Sequence, residues 1–242
     1  MKRFLPTFLI CALLLMSCKV DNPELKFANL YVLHTEAKAA LLPEFGVAAE
    51  INSLEVPTVE RFEKTKNQFT KTLTALEEID VVKLNNILDQ AAYEDMQRGI
   101  NNKLQFLNEE TYHWDPSFYN VCGQLKRKLS ISKYSTCERL EFIHHDLEKI
   151  PAYYEVAKNN IKKPSIKKTL LAIEKNSLGF KFLKHELMDS LNSTACTQFE
   201  KEKFVKEMDN SLIAIKDYVA FCNSLKFEYG EKNSEIVFRD SL

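Results

Sequence analysis

The chain has 242 residues, of which 33 are Lys or Arg and 34 are Asp or Glu, so its formal net charge is −1. A balance this close to neutral gives no electrostatic basis for binding nucleic acid, and we expect no nucleic-acid partner. Five glycines and seven prolines are too few turn-forming residues for an all-β protein, so the composition favours helices. A chain of this length can bury a substantial core in one or two domains.

The first eighteen residues have the pattern of an export signal. Two basic residues begin it, and Phe4–Met16 is an apolar run too short to span a bilayer. The run closes on Leu15-Met16-Ser17-Cys18, which resembles the lipobox of bacterial lipoproteins, in which the cysteine becomes the lipidated first residue. This resemblance implies a signal peptide at residues 1–17, a lipid on Cys18 and a place in the bacterial cell envelope, on the outer membrane or the periplasmic face. An ordinary cleaved secretory signal and an uncleaved membrane helix are the alternatives.

Four cysteines follow the predicted lipid attachment site: Cys122, Cys137, Cys196 and Cys222. An even number in an exported chain allows disulfides with three connectivities. No pair has C-x-x-C spacing, so neither a zinc knuckle nor a thioredoxin-like redox site is indicated. The alternative to disulfides is that the cysteines are small buried hydrophobic residues.

Residues 18–24 are predicted as a lipidated polar tether and residues 25–242 as a helical domain. Apolar residues recur at three- and four-residue intervals through most of that domain, which is typical of amphipathic helices. The predicted helices span about 25–42, 59–76, 82–109, 117–129, 135–149, 151–161, 166–187 and 197–227, with a loop at 43–57 and a poorly patterned tail at 230–242. The prediction is an all-α, irregular bundle of about seven or eight helices.

Two helix starts carry recognisable capping residues. Thr58 follows Pro57 directly before an amphipathic stretch and is predicted to cap the helix that begins there. Asp115 precedes Pro116, a residue that fits the first turn of a helix, so the pair is predicted to open the helix at about 117.

His185-Glu186-Leu187-Met188-Asp189 is one residue away from the H-E-x-x-H zinc signature. That signature places two imidazoles on one helical face with the glutamate beside the metal-bound water. Here Asp189 replaces the second histidine, and no further ligand cluster lies nearby in the sequence. A solvated His-Glu pair on a helix is the favoured interpretation.

Two Glu-x-x-His spacings, Glu110 with His113 and Glu141 with His144, resemble half of the ligand set of ferritin-like di-iron bundles. Glu148 lies one turn beyond His144, which gives the second spacing an additional acidic neighbour. Chance accounts for much of this pattern in a glutamate-rich chain. We therefore assign no metal ligand, no cofactor and no catalytic residue from the sequence.

Aromatic residues are concentrated between positions 112 and 154, namely Tyr112, Trp114, Phe118, Tyr119, Phe142, Tyr153 and Tyr154. Such residues can line a groove for a peptide or a glycan. At helical spacing they more often fill a core, which is the favoured interpretation.

The same stretch resembles a bacterial family. Trp114-Asp115-Pro116-Ser117-Phe118-Tyr119, Ile150-Pro151-Ala152-Tyr153-Tyr154 and the earlier Val59-Glu60-Arg61-Phe62 are similar to the family known as domain of unknown function 885, over roughly residues 40–240. Its members are often exported or lipidated, and they resemble zinc peptidases because their C-terminal half carries a His-Glu-x-x-Pro-Gly-His-His motif. That motif has no match in this sequence, so the resemblance transfers no catalytic residue.

These observations favour a non-catalytic envelope lipoprotein that binds a protein, peptide or glycan through its helical domain. The alternatives are a metal-dependent hydrolase or metalloprotein, and one half of a split or truncated peptidase. If a further half normally covers the helices at 166–187 and 197–227, their apolar stripes need a partner, and self-association is then expected.

Overall fold

The structure is a computed structural model that describes residues 22–40, 53–197 and 199–239. The predicted signal peptide, the lipid site Cys18 and most of the predicted loop at 43–57 lie outside these described residues. Within the described ranges, no helix is long and apolar enough to cross a bilayer.

Eight helices make up the regular structure of the described ranges, which contain no strand, and the predicted all-α bundle is confirmed. The seventh helix consists of three segments in direct succession, the middle one a π-helical turn. The bounds of the eight helices are α1 Pro23–Ala40, α2 Val59–Glu77, α3 Ile87–Asn108, α4 Val121–Leu129, α5 Thr136–Leu147, α6 Ile150–Asn160, α7 Ile166–Phe182 with Leu183–Leu187 and Met188–Asn192, and α8 Lys201–Arg239. Single 3₁₀ turns occupy Val81–Lys83, Thr111–His113 and Pro116–Phe118.

The N-terminal region (residues 23–108) consists of α1, α2 and α3, which pack against one another. Its buried side chains recur at helical spacing, as the apolar periodicity of the sequence predicts. They include Phe27 of α1, Phe62, Phe69 and Leu76 of α2, and Tyr93, Met96 and Ile100 of α3.

The C-terminal region (residues 111–239) is organised around α8, which packs on α5, α6 and α7, while α4 packs on α5 and α7. The inner stripes of α7 and α8 bury residues such as Phe182, Leu187, Phe204 and Ile215 within this chain. These side chains are covered within the chain, and self-association remains a prediction. One hydrophobic core continues through both regions.

Two predicted helix starts are displaced by asparagine caps. Helix α1 begins at Pro23, inside the predicted tether, because the Asn22 side chain accepts a hydrogen bond from the Leu25 N–H at 3.0 Å and Pro23 fits the first helical position. Helix α3 begins at Ile87 and not at about 82, because the Asn86 side chain accepts from the Leu88 N–H at 2.9 Å.

The predicted cap at Asp115 is present but opens only a single 3₁₀ turn. Its carboxylate accepts from the Ser117 N–H at 2.9 Å, and Pro116 stands at the first position of that turn. The helix that follows starts four residues later than predicted, at Val121, where the Asn120 side chain accepts from the Gly123 N–H. Thr58 caps α2 as predicted, through a 3.3 Å bond from the Arg61 N–H.

Candidate functional site

The densest polar arrangement in the core surrounds the connection between α3 and α4, residues 109–120. Five tyrosines cluster there with almost no solvent exposure: Tyr112, Tyr119, Tyr153, Tyr154 and Tyr218. Ring contacts join Tyr119 to Tyr153 and Tyr218, and Tyr154 to Tyr218. These contacts bring the connection together with α6 and α8.

Hydroxyl groups of this cluster bond to the backbone of the same connection. Tyr119 donates to the carbonyl of Tyr112 at 2.8 Å, and Tyr218 donates to the carbonyl of Pro116 at 2.7 Å. Burial raises the pKa of Tyr218 well above its ordinary value, so its hydroxyl remains a protonated donor. These two hydrogen bonds thus hold the irregular connection between α3 and α4 in place.

Asn176 of α7 completes the network. Its side-chain oxygen accepts from the Tyr154 hydroxyl at 2.5 Å, and its side-chain nitrogen donates to the carbonyls of Tyr119 at 3.2 Å and Ala172 at 2.9 Å. The Asn176 amide is fully buried and bonds through both its oxygen and its nitrogen. This network rigidifies the core, and it leaves no polar group of the amide available to a ligand.

The tyrosines of the aromatic stretch and Phe118 are therefore part of the core, as the favoured interpretation predicted. Tyr119, Tyr153 and Tyr154 are buried, while Trp114, Phe118 and Phe142 are half-buried. Phe118 packs against Phe62 of α2 at 6.0 Å and Phe106 of α3 at 4.8 Å between ring centroids, so it joins the two regions.

His185, Glu186 and Asp189 lie exposed at the π-helical turn and the residues after it. Glu186 forms an ion pair with Lys126 of α4 at 3.2 Å. The exposure of these side chains is that of a solvated pair on a helix. The sequence pattern does not predict the π-helical turn at Leu183–Leu187.

Glu110 and His113 hold the end of α3 and do not point at a common ligand. Glu110 adopts a left-handed backbone with φ of 48°, which reverses the chain after the helix. The His113 ring nitrogens lie against the carbonyl of Asn160 and 3.3 Å from Nζ of Lys162. Both ring nitrogens thus connect the turn to the end of α6.

His144 lies in an aromatic pocket between α5 and the start of α8. Its ring centroid is 5.4 Å from that of Phe204 and 5.5 Å from that of Phe199. Burial, together with the positive charge of Lys203, lowers the pKa of His144, so the neutral ring is favoured. Its Nε2 is buried and has no hydrogen-bond partner among the described residues.

Glu148, the additional acidic neighbour of the second spacing, faces α8. Its carboxylate accepts from Nζ of Lys203 at 2.6 Å, and this bond lowers its pKa. Over residues 22–40, 53–197 and 199–239, no group of three or more His, Cys, Asp or Glu side chains has the arrangement of a metal site. His113 and Glu148 thus form contacts between elements of the fold.

A buried ion pair that the sequence analysis missed joins α4 to α5. Asp146 of α5 is fully buried, its carboxylate pairs with Nζ of Lys128 of α4, and it accepts from the Leu54 N–H at 2.6 Å. Burial raises the pKa of Asp146, while the positive charges of Lys128 and Lys149 oppose that rise. The bond from the Leu54 N–H to Asp146 holds the segment that enters α2 against the C-terminal region. Asp146 lies one turn beyond Ile143 on a buried helical face, which is the only sequence signal for it.

The cysteines separate into one disulfide and two buried thiols. Cys137 and Cys196 form a disulfide with Cα atoms 5.4 Å apart, which ties the connection between α7 and α8 to α5. Cys122 and Cys222 are free and buried, and burial raises the pKa of each thiol to about 12. Such thiols are poor nucleophiles near neutral pH.

A shallow groove of about 390 Å³ runs between α7 and α8. Phe180, Ile215 and Val219 supply its apolar lining, and Ser177, Lys181 and Lys216 supply its polar lining. An apolar floor beside two lysine side chains suits a ligand that has apolar groups and carries negative charge.

Comparison with known proteins shows the fold alone. No protein family and no curated protein matches the sequence. Among solved structures, the chain is similar to a protein from Shewanella oneidensis that is described provisionally as a lipoprotein of unknown function, with a TM-score of 0.71 and 21% sequence identity. The match covers 89% of this chain and 39% of the other, so this chain spans about two fifths of that protein's length.

Proposed function

We propose that the chain is a lipoprotein of the bacterial cell envelope, anchored through a lipid on Cys18, whose helical domain is a non-catalytic binding or accessory module. The lipobox-like Leu15-Met16-Ser17-Cys18 carries the proposal. The likeness in fold to a protein described as a lipoprotein supports it. The resemblance to the exported, peptidase-like family remains part of the proposal, because no comparison tests it.

Several polar side chains of the domain bond within the fold. His113, Glu148 and Asp146 each bond to another helix or to an incoming segment. The tyrosine hydroxyls likewise bond to the backbone of the α3–α4 connection. The groove between α7 and α8 is the ligand surface that we favour, with a protein or peptide that presents apolar and acidic side chains as its occupant.

The anchor is tested by substituting Cys18→Ala in the full chain. We expect the wild-type protein to incorporate labelled fatty acid and to sediment with membranes, and the variant to do neither. Cys11→Ala, which alters a cysteine inside the apolar run, is the matched control and should leave both properties unchanged. Equal lipid incorporation by the wild type and the Cys18→Ala variant would contradict the proposal.

The metalloprotein alternative is tested on the purified full chain in detergent. Elemental analysis should find no stoichiometric zinc or iron, and peptide hydrolysis should stay at the level of a buffer blank. Stoichiometric metal that is lost on His144→Ala, and retained on the control substitution His185→Ala, would favour the metal-dependent alternative.

A second candidate is an accessory half that works with a separate chain, and it rests on the resemblance to the family whose C-terminal half carries the His-Glu-x-x-Pro-Gly-His-His motif. We expect a neighbouring reading frame to encode a His-Glu-x-x-Pro-Gly-His-His segment if this candidate is correct. Mixing the two purified chains should then produce peptidase activity that neither has alone.

A further inference from the structure

We propose that the end of the N-terminal region nearest the tether lies on the bilayer and contacts it through Leu25, Val82, Ile87 and Leu88, called here the apolar end. The proposal rests on the lipid anchor of the proposed function and adds an orientation to it. The occupant of this surface is then the lipid itself, at the boundary between headgroups and acyl chains.

The exposure of these four side chains is the first observation. Val82 is 84% exposed, Ile87 76%, Leu88 73% and Leu25 60%. Isolated exposed apolar residues are ordinary on protein surfaces. Three of these, however, fall within seven consecutive residues, in the connection between α2 and α3 and the first turn of α3, which is a concentration that marks an interaction surface.

Hydrogen bonds place Leu25 at the same end of the molecule. The carboxylate of its neighbour Glu24 accepts from the Asn85 side chain at 2.6 Å and from the Asn85 N–H at 3.3 Å. Asn85 stands between Val82 and Ile87 in the chain. The start of α1 is therefore fastened to the connection that carries Val82 and leads directly into Ile87 and Leu88.

The length of the tether brings this end to the membrane. Five residue steps separate Cys18 from Pro23, the first residue of α1. A fully extended chain covers at most about 3.6 Å per residue, so the start of α1 lies within about 18 Å of the lipidated residue. Apolar side chains at an interface enter about 5–10 Å into the headgroup and acyl boundary, which the apolar end can reach.

The surrounding charges indicate apolar rather than electrostatic contact. Glu24, Asp80, Lys83 and Asp89 lie around the apolar end, and Lys83 forms an ion pair with Asp80 at 3.3 Å. Charges of both signs do not make the basic cluster that attracts anionic lipids. Contact with the bilayer should therefore depend little on salt or on anionic lipid.

The test uses the full lipidated chain in phosphatidylcholine vesicles with brominated acyl chains, which quench nearby tryptophan. Reporters are Ile87→Trp and Leu88→Trp, and the matched control is Ile213→Trp, another exposed apolar position, on α8, that is 60% exposed. Trp114 is common to all. We expect a larger loss of emission for the two reporters than for the control. The same loss should persist at high salt and with anionic lipid added.

Each failure points to a different proposal. Vesicle flotation reports the anchor, so a wild-type chain that does not float contradicts the lipid on Cys18 and, with it, the contact. A chain that floats while both reporters are quenched no more than the control contradicts the contact alone. Cross-links between copies at position 88, without quenching, would make a second copy the occupant and would overturn the contact with lipid.

Discussion

The N-terminal and C-terminal regions are built from helices of similar amphipathic pattern, yet they are held together by different interactions. The C-terminal region buries a tyrosine network, the Lys128–Asp146 pair and the Cys137–Cys196 disulfide. In the N-terminal region the buried side chains are mainly apolar, and the outer surface of α1 exposes Leu25, Val32 and Leu33.

This difference separates a rigid C-terminal region from an N-terminal region that can contact another surface. Buried polar groups require particular partners, so they specify one arrangement of helices. Apolar stripes tolerate small shifts and substitutions of similar volume. The C-terminal region is therefore suited to be a fixed scaffold, and the N-terminal region, next to the tether, is suited to contact a surface.

The largest expected effect comes from removing one partner of the buried ion pair. Lys128→Met leaves the Asp146 carboxylate buried without Lys128, and breaking such a pair costs about 3–5 kcal/mol. Urea unfolding of the full chain measures the loss. The control Lys126→Met, two residues away, breaks an exposed pair with Glu186 and should cost about 1 kcal/mol or less.

The loss of stability caused by Lys128→Met should depend on pH, whereas a loss caused by a packing defect would not. Burial already raises the pKa of Asp146, and loss of Lys128 raises it further. A carboxyl group whose folded-state pKa is raised destabilises the fold above that pKa, and the cost is relieved as the pH falls through it. The penalty of Lys128→Met should therefore shrink on acidification. A penalty that is constant with pH would contradict a buried charge as its cause.

The disulfide is the second largest contribution. Cys137 and Cys196 are 59 residues apart, and closing a loop of that length stabilises the fold by about 4 kcal/mol in the chain-entropy model. The variant Cys137→Ser/Cys196→Ser should lose up to that amount, and the wild type with reductant should match it. Coincident urea midpoints with and without reductant would argue against this contribution. The variant itself should not respond to reductant.

The sequence predicts interactions that are local and misses those that join distant residues. Helix faces follow from apolar periodicity, and the Thr58 cap bonds to a residue three positions away. The Asp146–Leu54 bond spans 92 positions, so no local pattern reveals it. The Glu-x-x-His spacings look like ligands because sequence shows one helix at a time, whereas His113 bonds to the end of another helix.

Two glycines give the sharpest contrast between the regions. A Cβ at Gly179 in α7 would lie 2.4 Å from Cβ and 2.5 Å from Sγ of Cys122, both inside the core. Gly179→Ala should cost about 1–3 kcal/mol through overpacking. A Cβ at Gly99 in α3 meets no described atom within 4 Å, so Gly99→Ala should stabilise the fold by up to about 1 kcal/mol. Thermal unfolding of both variants should show shifts of opposite sign.

The smallest expected effect is the pH dependence due to His144. Its pKa is lowered in the fold by burial first and by Lys203 next, while Glu148 and Glu207 oppose the shift. The unfolded chain therefore binds the proton more readily than the folded chain. The contribution of neutral His144 to the stability of the fold is complete above the unfolded pKa of about 6.5, and it is lost as the pH falls below that value. Stability should decline between about pH 7 and 5, and His144→Phe should flatten that decline. His145→Gln, at the exposed neighbouring position, should preserve most of it, and a decline that persists unchanged in His144→Phe would assign it to another group.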